Sequence, residues 1–108
     1  MSLERKKSLV SYRLEIEVKE IRGYCPVFKE GDKITIEEPE LVLKETNAFC
    51  IHAFGSMLSM LVALSRGIEP KDVGLCKEGD VGYIQCLDPK EFTGGGTVIF
   101  QIKRTVLK

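Results

Sequence analysis

The sequence has no excess of either charge sign, since 16 lysine and arginine residues are matched by 16 aspartate and glutamate residues. No block of like charges is longer than the short run Arg5-Lys6-Lys7. Binding to the backbone of a nucleic acid or to an anionic membrane depends on concentrated positive charge. The composition therefore gives no reason to expect a nucleic acid or a membrane as a partner.

The chain also lacks a long hydrophobic run. Near the N-terminus the short stretch Ser8-Leu9-Val10-Ser11 lies between charged residues, which is not the pattern of a signal peptide. The most apolar segment, residues 48 to 64, contains His52, Ser56 and Ser59 and is shorter than the ~20 residues that span a bilayer. We therefore expect a buried helix in this segment and a cytoplasmic location.

Tight cysteine pairs are missing as well. Disulfides are rare in the cytoplasm, so the four cysteines are expected to be reduced thiols, metal ligands or redox groups. The chain has only one histidine, His52, and it could serve any of several serines. No Ser-His-Asp set can therefore be singled out.

A chain of 108 residues fits one domain with one hydrophobic core. We expect residues 11–108 to form a single domain. Residues 1–10 are expected to be a disordered or cloning-derived tail, and we assign them no function.

Four segments alternate apolar and polar residues with the period of a strand. The alternation is clearest in residues 12–19, and it returns in residues 33–37, 81–87 and 97–103. The turn-like residues between the first two segments predict an antiparallel pair. Gly94-Gly95-Gly96 lies between the last two, and we expect a flexible hairpin loop there rather than a phosphate cradle, because no helix follows it.

One helix is predicted between the second and third strands. Thr46 or Asn47 would supply its N-cap, and it would run to about Arg66, where Gly67 can close it. Mostly antiparallel strands with one helix indicate an α+β domain. We predict a sheet of about four strands packed on one central buried helix, with a small barrel that has the helix across one end as the alternative.

The predicted helix is apolar around most of its circumference. A four-stranded sheet covers only one side of a helix, so loops or a second copy of the chain must cover the rest. A homodimer packed through this helix is the preferred explanation. The narrow polar line of His52, Ser56 and Ser59 is either the solvent face or the lining of a pocket with Gly55 at its floor.

Cys25, Cys50, His52 and Cys86 together have the Cys3His composition of many zinc sites, although their spacing is not typical of one. Successive helical residues are rotated by about 100°, so Cys50 and His52 could not share a metal ion within one helix. If residues 47 to 52 are extended instead and the helix begins near Ala53, the side chains of Cys50 and His52 lie on one face. The cysteines are otherwise small buried hydrophobes or reactive thiols.

A set of ordered motifs covers residues 14 to 103. The chain resembles a small family of uncharacterised prokaryotic proteins that share these motifs, and the resemblance brings no established activity. It implies that Cys25, Cys50, His52 and Cys86 belong together, whereas Cys76 lies outside the motifs. The segments that carry it are Arg22-Gly23-Tyr24-Cys25-Pro26, Gly31-Asp32, Cys50-Ile51-His52-Ala53, Ala63-Leu64-Ser65-Arg66-Gly67, Cys86-Leu87-Asp88-Pro89 and Gly95-Gly96-Thr97-Val98-Ile99-Phe100.

Three functional hypotheses follow. In the first, Cys25, Cys50 and Cys86 bind zinc or another thiophilic metal, with His52 as the fourth ligand or a hydrogen-bond partner. In the second, the protein is a thiol-dependent redox protein or enzyme that uses Cys50 as an activated thiol and His52 as a base. In the third, it is a structural or interaction module without chemistry, and the apolar helix forms its dimer interface.

Overall fold

A computed structural model describes residues 11–107, so the predicted tail at residues 1–10 lies outside the described residues. Five strands form one antiparallel sheet in the order β3-β2-β1-β5-β4. In chain order the strands and helices are β1 (Ser11–Gly23), β2 (Lys33–Glu37), β3 (Glu40–Leu41), α1 (Ile51–Ser65), β4 (Gly82–Gln85), α2 (Lys90–Thr93) and β5 (Gly96–Leu107), with short 3-10 turns at Leu43–Glu45 and Pro70–Val73.

The pairing of β1 with β5 forms the long central ladder of the sheet. It joins residues 11–23 to residues 96–107, and a bulge shifts its register between Val18 and Glu20. Side chains alternate between the two faces of a strand, so the extra residue puts Ile21 on the same face as Val18. One face of the ladder therefore remains apolar on both sides of the bulge.

The hydrophobic core lies between this apolar face and α1. Phe28, which precedes β2, packs edge-to-face on Phe100 of β5 with ring centroids 5.3 Å apart. The helix contributes residues three and four positions apart, as expected for one buried side. The buried apolar residues are Leu14, Ile16, Val18, Phe28, Ile34, Ile36, Ala53, Met57, Leu61, Leu64, Cys86, Val98, Phe100 and Ile102.

The C-terminal end of α1 is closed by a glycine. Gly67 has φ of +103°, which only glycine adopts readily, and its N–H donates to Leu64 O at 3.2 Å. The N–H of Ile68 donates to Ala63 O at 3.1 Å. These two bonds form a Schellman motif, and the predicted closure at Gly67 is confirmed.

Arg104 of β5 provides a second closure for the same helix end. Its guanidinium donates to Leu64 O at 3.2 Å and Ile68 O at 3.1 Å, and it also pairs with Asp80. The guanidinium carbon lies 4.1 Å from the centre of the Tyr12 ring. Only 3% of the Arg104 side chain is exposed, so these contacts replace most of its hydration.

The α+β class and the antiparallel sheet are confirmed, and the four predicted strands correspond to β1, β2, β4 and β5. The two-residue strand β3 and the single-turn helix α2 were not predicted. Both are too short to show a periodic pattern, so no signal in the sequence distinguishes them from turns.

The predicted helix start is wrong. The helix begins at Ile51, and Cys50 is its N-cap residue with an extended backbone. Thr46 and Asn47 instead accept hydrogen bonds from two backbone N–H groups of β2, at 3.1 and 2.8 Å. Side chains that cap helices also bond to strands and turns, so the residue type alone could not place the helix start.

The central burial of the helix is not confirmed. One side of α1 packs on the sheet, but Ile51, Leu58 and Val62 on another side are exposed. Among the described residues, loops therefore do not cover the rest of the helix, which was one of the two kinds of cover expected from the sequence.

We expect Arg104→Met to lower the free energy of unfolding by about 2 to 3 kcal/mol, because the helix end loses its hydrogen bonds to a buried cation. Chemical denaturation followed by circular dichroism measures this change. Lys103→Met is the matched control, because Lys103 is exposed on the adjacent position of the same strand. Equal stability of the two variants would contradict the role of Arg104.

Candidate functional site

The fold brings Cys25, Cys50 and Cys86 to one end of the molecule. Cys25 follows β1 and Cys86 follows β4, and both strands run antiparallel to β5, so their C-terminal ends lie together. The other end of the sheet holds the C-terminus of α1 through Arg104. The N-terminus of α1, with Cys50, therefore lies at the cysteine end, which we call the thiol end.

The three thiols share one hydrophobic core. Cys86 is buried within it, while Cys25 and Cys50 are half-buried against it. The sulfur of Cys25 accepts a hydrogen bond from the N–H of Phe28 at 3.3 Å. Cys76 precedes β4, so it lies toward the opposite end, where its thiol donates to Gly79 O at 3.8 Å.

His52 lies in the first turn of α1, and its side chain is exposed. Within residues 11–107, no group of three or more His, Cys, Asp and Glu side chains is arranged to hold a metal ion. Cys25, Cys50, His52 and Cys86 lie at the same end of the fold, but their joint binding of a metal stays a prediction.

The polar line on α1 matches the solvent-face interpretation. His52 and Ser59 are exposed. The Ser56 hydroxyl lies 2.8 Å from Ala53 O and 3.2 Å from Gln85 O, so it links the helix to the end of β4. Ser59 thus faces the solvent, and Ser56 attaches the helix to β4 by a hydrogen bond.

The three consecutive glycines form a packed connection rather than a free hairpin loop. Gly94 has φ of +75° and closes α2. A Cβ atom on Gly96 would lie 2.6 Å from the carbonyl carbon of Tyr24, closer than real Cβ contacts come. Close backbone packing therefore explains the glycine at position 96, and a phosphate ligand is not needed to explain it.

An apolar groove separates α1 from the β2–β3 hairpin. It encloses about 240 Å³ and has Glu38 and Glu40 beside its apolar lining. A side chain of a partner would find mainly hydrocarbon there. The apolar residues that line it are Ile36, Pro39, Leu41, Phe54, Leu58, Leu61 and Val62.

Glu38 fastens the hairpin to the end of α1. Its carboxylate accepts two bonds from Arg66, at 2.8 and 2.9 Å, and one from the Ser65 hydroxyl at 3.0 Å. The Arg66 guanidinium lowers the pKa of Glu38, the Ser65 bond lowers it further, and burial opposes both effects. The carboxylate is therefore ionised at neutral pH and holds one wall of the groove.

The helix α1 carries an exposed apolar stripe, which we define as Ile51, Leu58 and Val62, and the last two of these residues also line the groove. These side chains are 75%, 46% and 36% exposed. They lie seven and four positions apart, so they project from one side of the helix. Residues 51 to 65 contain no Asp, Glu, Lys or Arg, so the stripe adjoins no charge of its own helix.

The thiol end carries further exposed apolar side chains. Tyr24, Val27 and Leu87 are exposed there, and Phe92 of α2 is 90% exposed. Sequence reasoning did not predict this surface. The available signal was the presence of large apolar residues in segments that have turn chemistry rather than a strand period.

None of the known protein families, curated proteins or solved structures compared with this chain matches it. The family resemblance of the motifs therefore stays a prediction. Between residues 11 and 107, no helix has both the length and the apolar content needed to cross a membrane.

We expect Glu38→Gln to remove a pH-dependent part of the stability. The folded-state pKa of Glu38 is lowered, so its contribution is present above the usual value of 4.5 and is lost as the pH falls through the folded value. The difference in unfolding free energy between the two proteins should therefore exist at pH 7 and vanish in acid. The side chains of Glu38 and Arg66 are both partly exposed, so the difference in unfolding free energy should be modest.

Urea denaturation at a series of pH values measures this difference. Glu40→Gln is the control, because Glu40 is an exposed carboxylate on the same hairpin. A difference that persists unchanged at pH 2 would contradict the role of the Glu38 charge.

Proposed function

We propose that the protein is an interaction module that self-associates through the outer side of α1. The observation that carries the proposal is the exposed stripe of Ile51, Leu58 and Val62 on a helix without charged residues. Isolated apolar residues on a surface need no explanation, but a contiguous apolar helix side beside an apolar groove is typical of an interface.

The geometry favours a weak rather than a permanent dimer. Complete burial of a Leu, Ile or Val side chain contributes about 1.5 to 3 kcal/mol, and the three stripe residues of each of the two copies are already partly covered. Association must first offset at least about 4 kcal/mol of lost translational and rotational freedom. The stripe alone gives little surplus, so we expect the adjoining groove to accept a partner side chain and the dimer to depend on protein concentration.

We expect wild-type protein to shift from monomer to dimer with rising concentration, and Leu58→Glu to remain monomeric. A two-fold contact would place the two introduced carboxylates close together in an apolar interface, where like charges repel. Sedimentation equilibrium over a wide concentration range measures the masses, and circular dichroism confirms that the variant is folded.

Leu43→Glu is the matched control, since Leu43 is 74% exposed but lies in the turn after β3 rather than on α1. It should dimerise as the wild type does. If the wild type were monomeric at every concentration, or if Leu58→Glu dimerised normally, the proposed function would be wrong.

Metal binding through Cys25, Cys50, Cys86 and His52 is the second candidate. Its support is the position of the three cysteines at the thiol end, where Cys86 is part of the core and the other two pack against it. The exposed His52 would act as the fourth ligand or remain a neighbour. We also propose a cytoplasmic location, because all four cysteines are free thiols in the structure.

Under this second candidate, untagged protein should contain one equivalent of zinc or another thiophilic metal, and Cys50→Ser should lose it. Replacement of a thiolate ligand weakens binding at every remaining ligand, because the site closes around one ion. Elemental analysis by mass spectrometry measures the metal content. Cys76→Ser is the control and should retain it.

Stoichiometric metal in the Cys50→Ser protein would rule out this ligand set. If the wild type lacks metal but Cys50 is alkylated rapidly well below pH 8, a thiol-dependent redox protein or enzyme becomes the better explanation.

A further inference from the structure

Gly55 lies near the middle of the exposed side of α1, where glycine is unfavourable. In a helix interior glycine is less favourable than alanine, because its backbone is freer in the unfolded chain. A Cβ atom built on Gly55 meets no atom within 4 Å. Nothing in the described residues therefore requires glycine at this position.

The apolar stripe surrounds this glycine. At about 100° per residue, Gly55 and the stripe residues Ile51, Leu58 and Val62 fall within an arc of about 60° on the helix. The missing side chain leaves a notch between apolar ridges. A notch of this kind lets the backbone of another helix approach more closely than side chains otherwise allow.

We propose that two copies of the chain cross at Gly55, with the α1 helices packed across a two-fold axis. This inference rests on the proposed self-association and specifies its contact point. In a two-fold contact each surface meets its own copy, so the notch of one helix faces the notch of the other. Because neither helix has a side chain at this point, the two backbones can approach closely where the helices cross.

A second copy fits this surface better than a charged partner does. Residues 51 to 65 contain no Asp, Glu, Lys or Arg, so the two helices themselves meet without repulsion between acidic or between basic side chains. A basic or acidic partner would find no opposite charge on the helix. The chain as a whole has a formal net charge of zero, which also removes long-range repulsion between copies.

The size of the surface agrees with a weak dimer. A helix of 15 residues is about 22 Å long, which is short for the roughly 800 Å² per partner of a standard stable interface. Close approach at the notch compensates by bringing more backbone and side-chain atoms of the same short helix into contact.

Gly55→Ala tests the crossing because it should have opposite effects on the monomer and on the dimer. Thermal denaturation at a concentration far below the dimer dissociation constant should show a Tm raised by about 5 °C, because alanine favours the helix. Sedimentation equilibrium should show a dissociation constant that is at least ~10-fold higher, because the methyl groups of the two alanines occupy the notch and keep the helices apart.

Lys103→Ala is the control, because Lys103 is exposed on β5 and, by the alternation of side chains along a strand, faces away from α1. It should leave the dissociation constant within about threefold of the wild-type value, less than 1 kcal/mol.

Three results would overturn the crossing. These are a Gly55→Ala dimer as tight as the wild type, a Gly55→Ala monomer less stable than the wild type, and an equal loss of dimer in Lys103→Ala. In each case a wild-type dimer sensitive to Leu58→Glu would preserve the proposed function. A wild type that never dimerises would overturn both.

Discussion

The antiparallel pairing of β1 with β5 determines most of what surrounds it. Its register places Val98, Phe100 and Ile102 under α1, and the same alternation brings Arg104 to the helix end. At the other end, the ladder closes with β1 packed against Gly96. One pairing thus fixes both the end that holds the helix and the end that gathers the thiols.

The second constraint on the structure is that the sheet covers α1 on one side only. The sheet buries the side of α1 that contains Met57 and Leu64, and the hairpin of β2 and β3 stands beside it without closing over it. A helix that is apolar around most of its circumference then keeps apolar surface in contact with water. The groove and the stripe are both apolar surfaces that this incomplete cover leaves in contact with water. They adjoin each other, so a partner that packs on one also contacts the other.

The sequence predicted the features that repeat along the chain. Alternation located four strands, and Gly67 located the end of α1, because each signal has one dominant structural explanation. The start of α1 was not predicted, because Thr46 bonds as readily to a strand as to a helix. Arg104 continues the series of β5 residues that face α1, but its role was not predicted. Only the fold shows which groups a charged side chain at that position contacts. The gathering of the thiols likewise depends on strand order, which local patterns do not encode.

The two candidate functions meet at the start of α1, yet they use different sides of it. Cys50 is the N-cap residue and packs toward the core, whereas the next residue, Ile51, is exposed and begins the stripe. An exchange of sulfur for oxygen at Cys50 therefore acts on the thiol end and leaves the outer side of the helix unchanged. Leu58 and Gly55 lie one to two turns further along, on the exposed outer side of the helix. Self-association and thiol chemistry can consequently be separated by substitution, and a change that affected both would indicate that the helix start itself had moved.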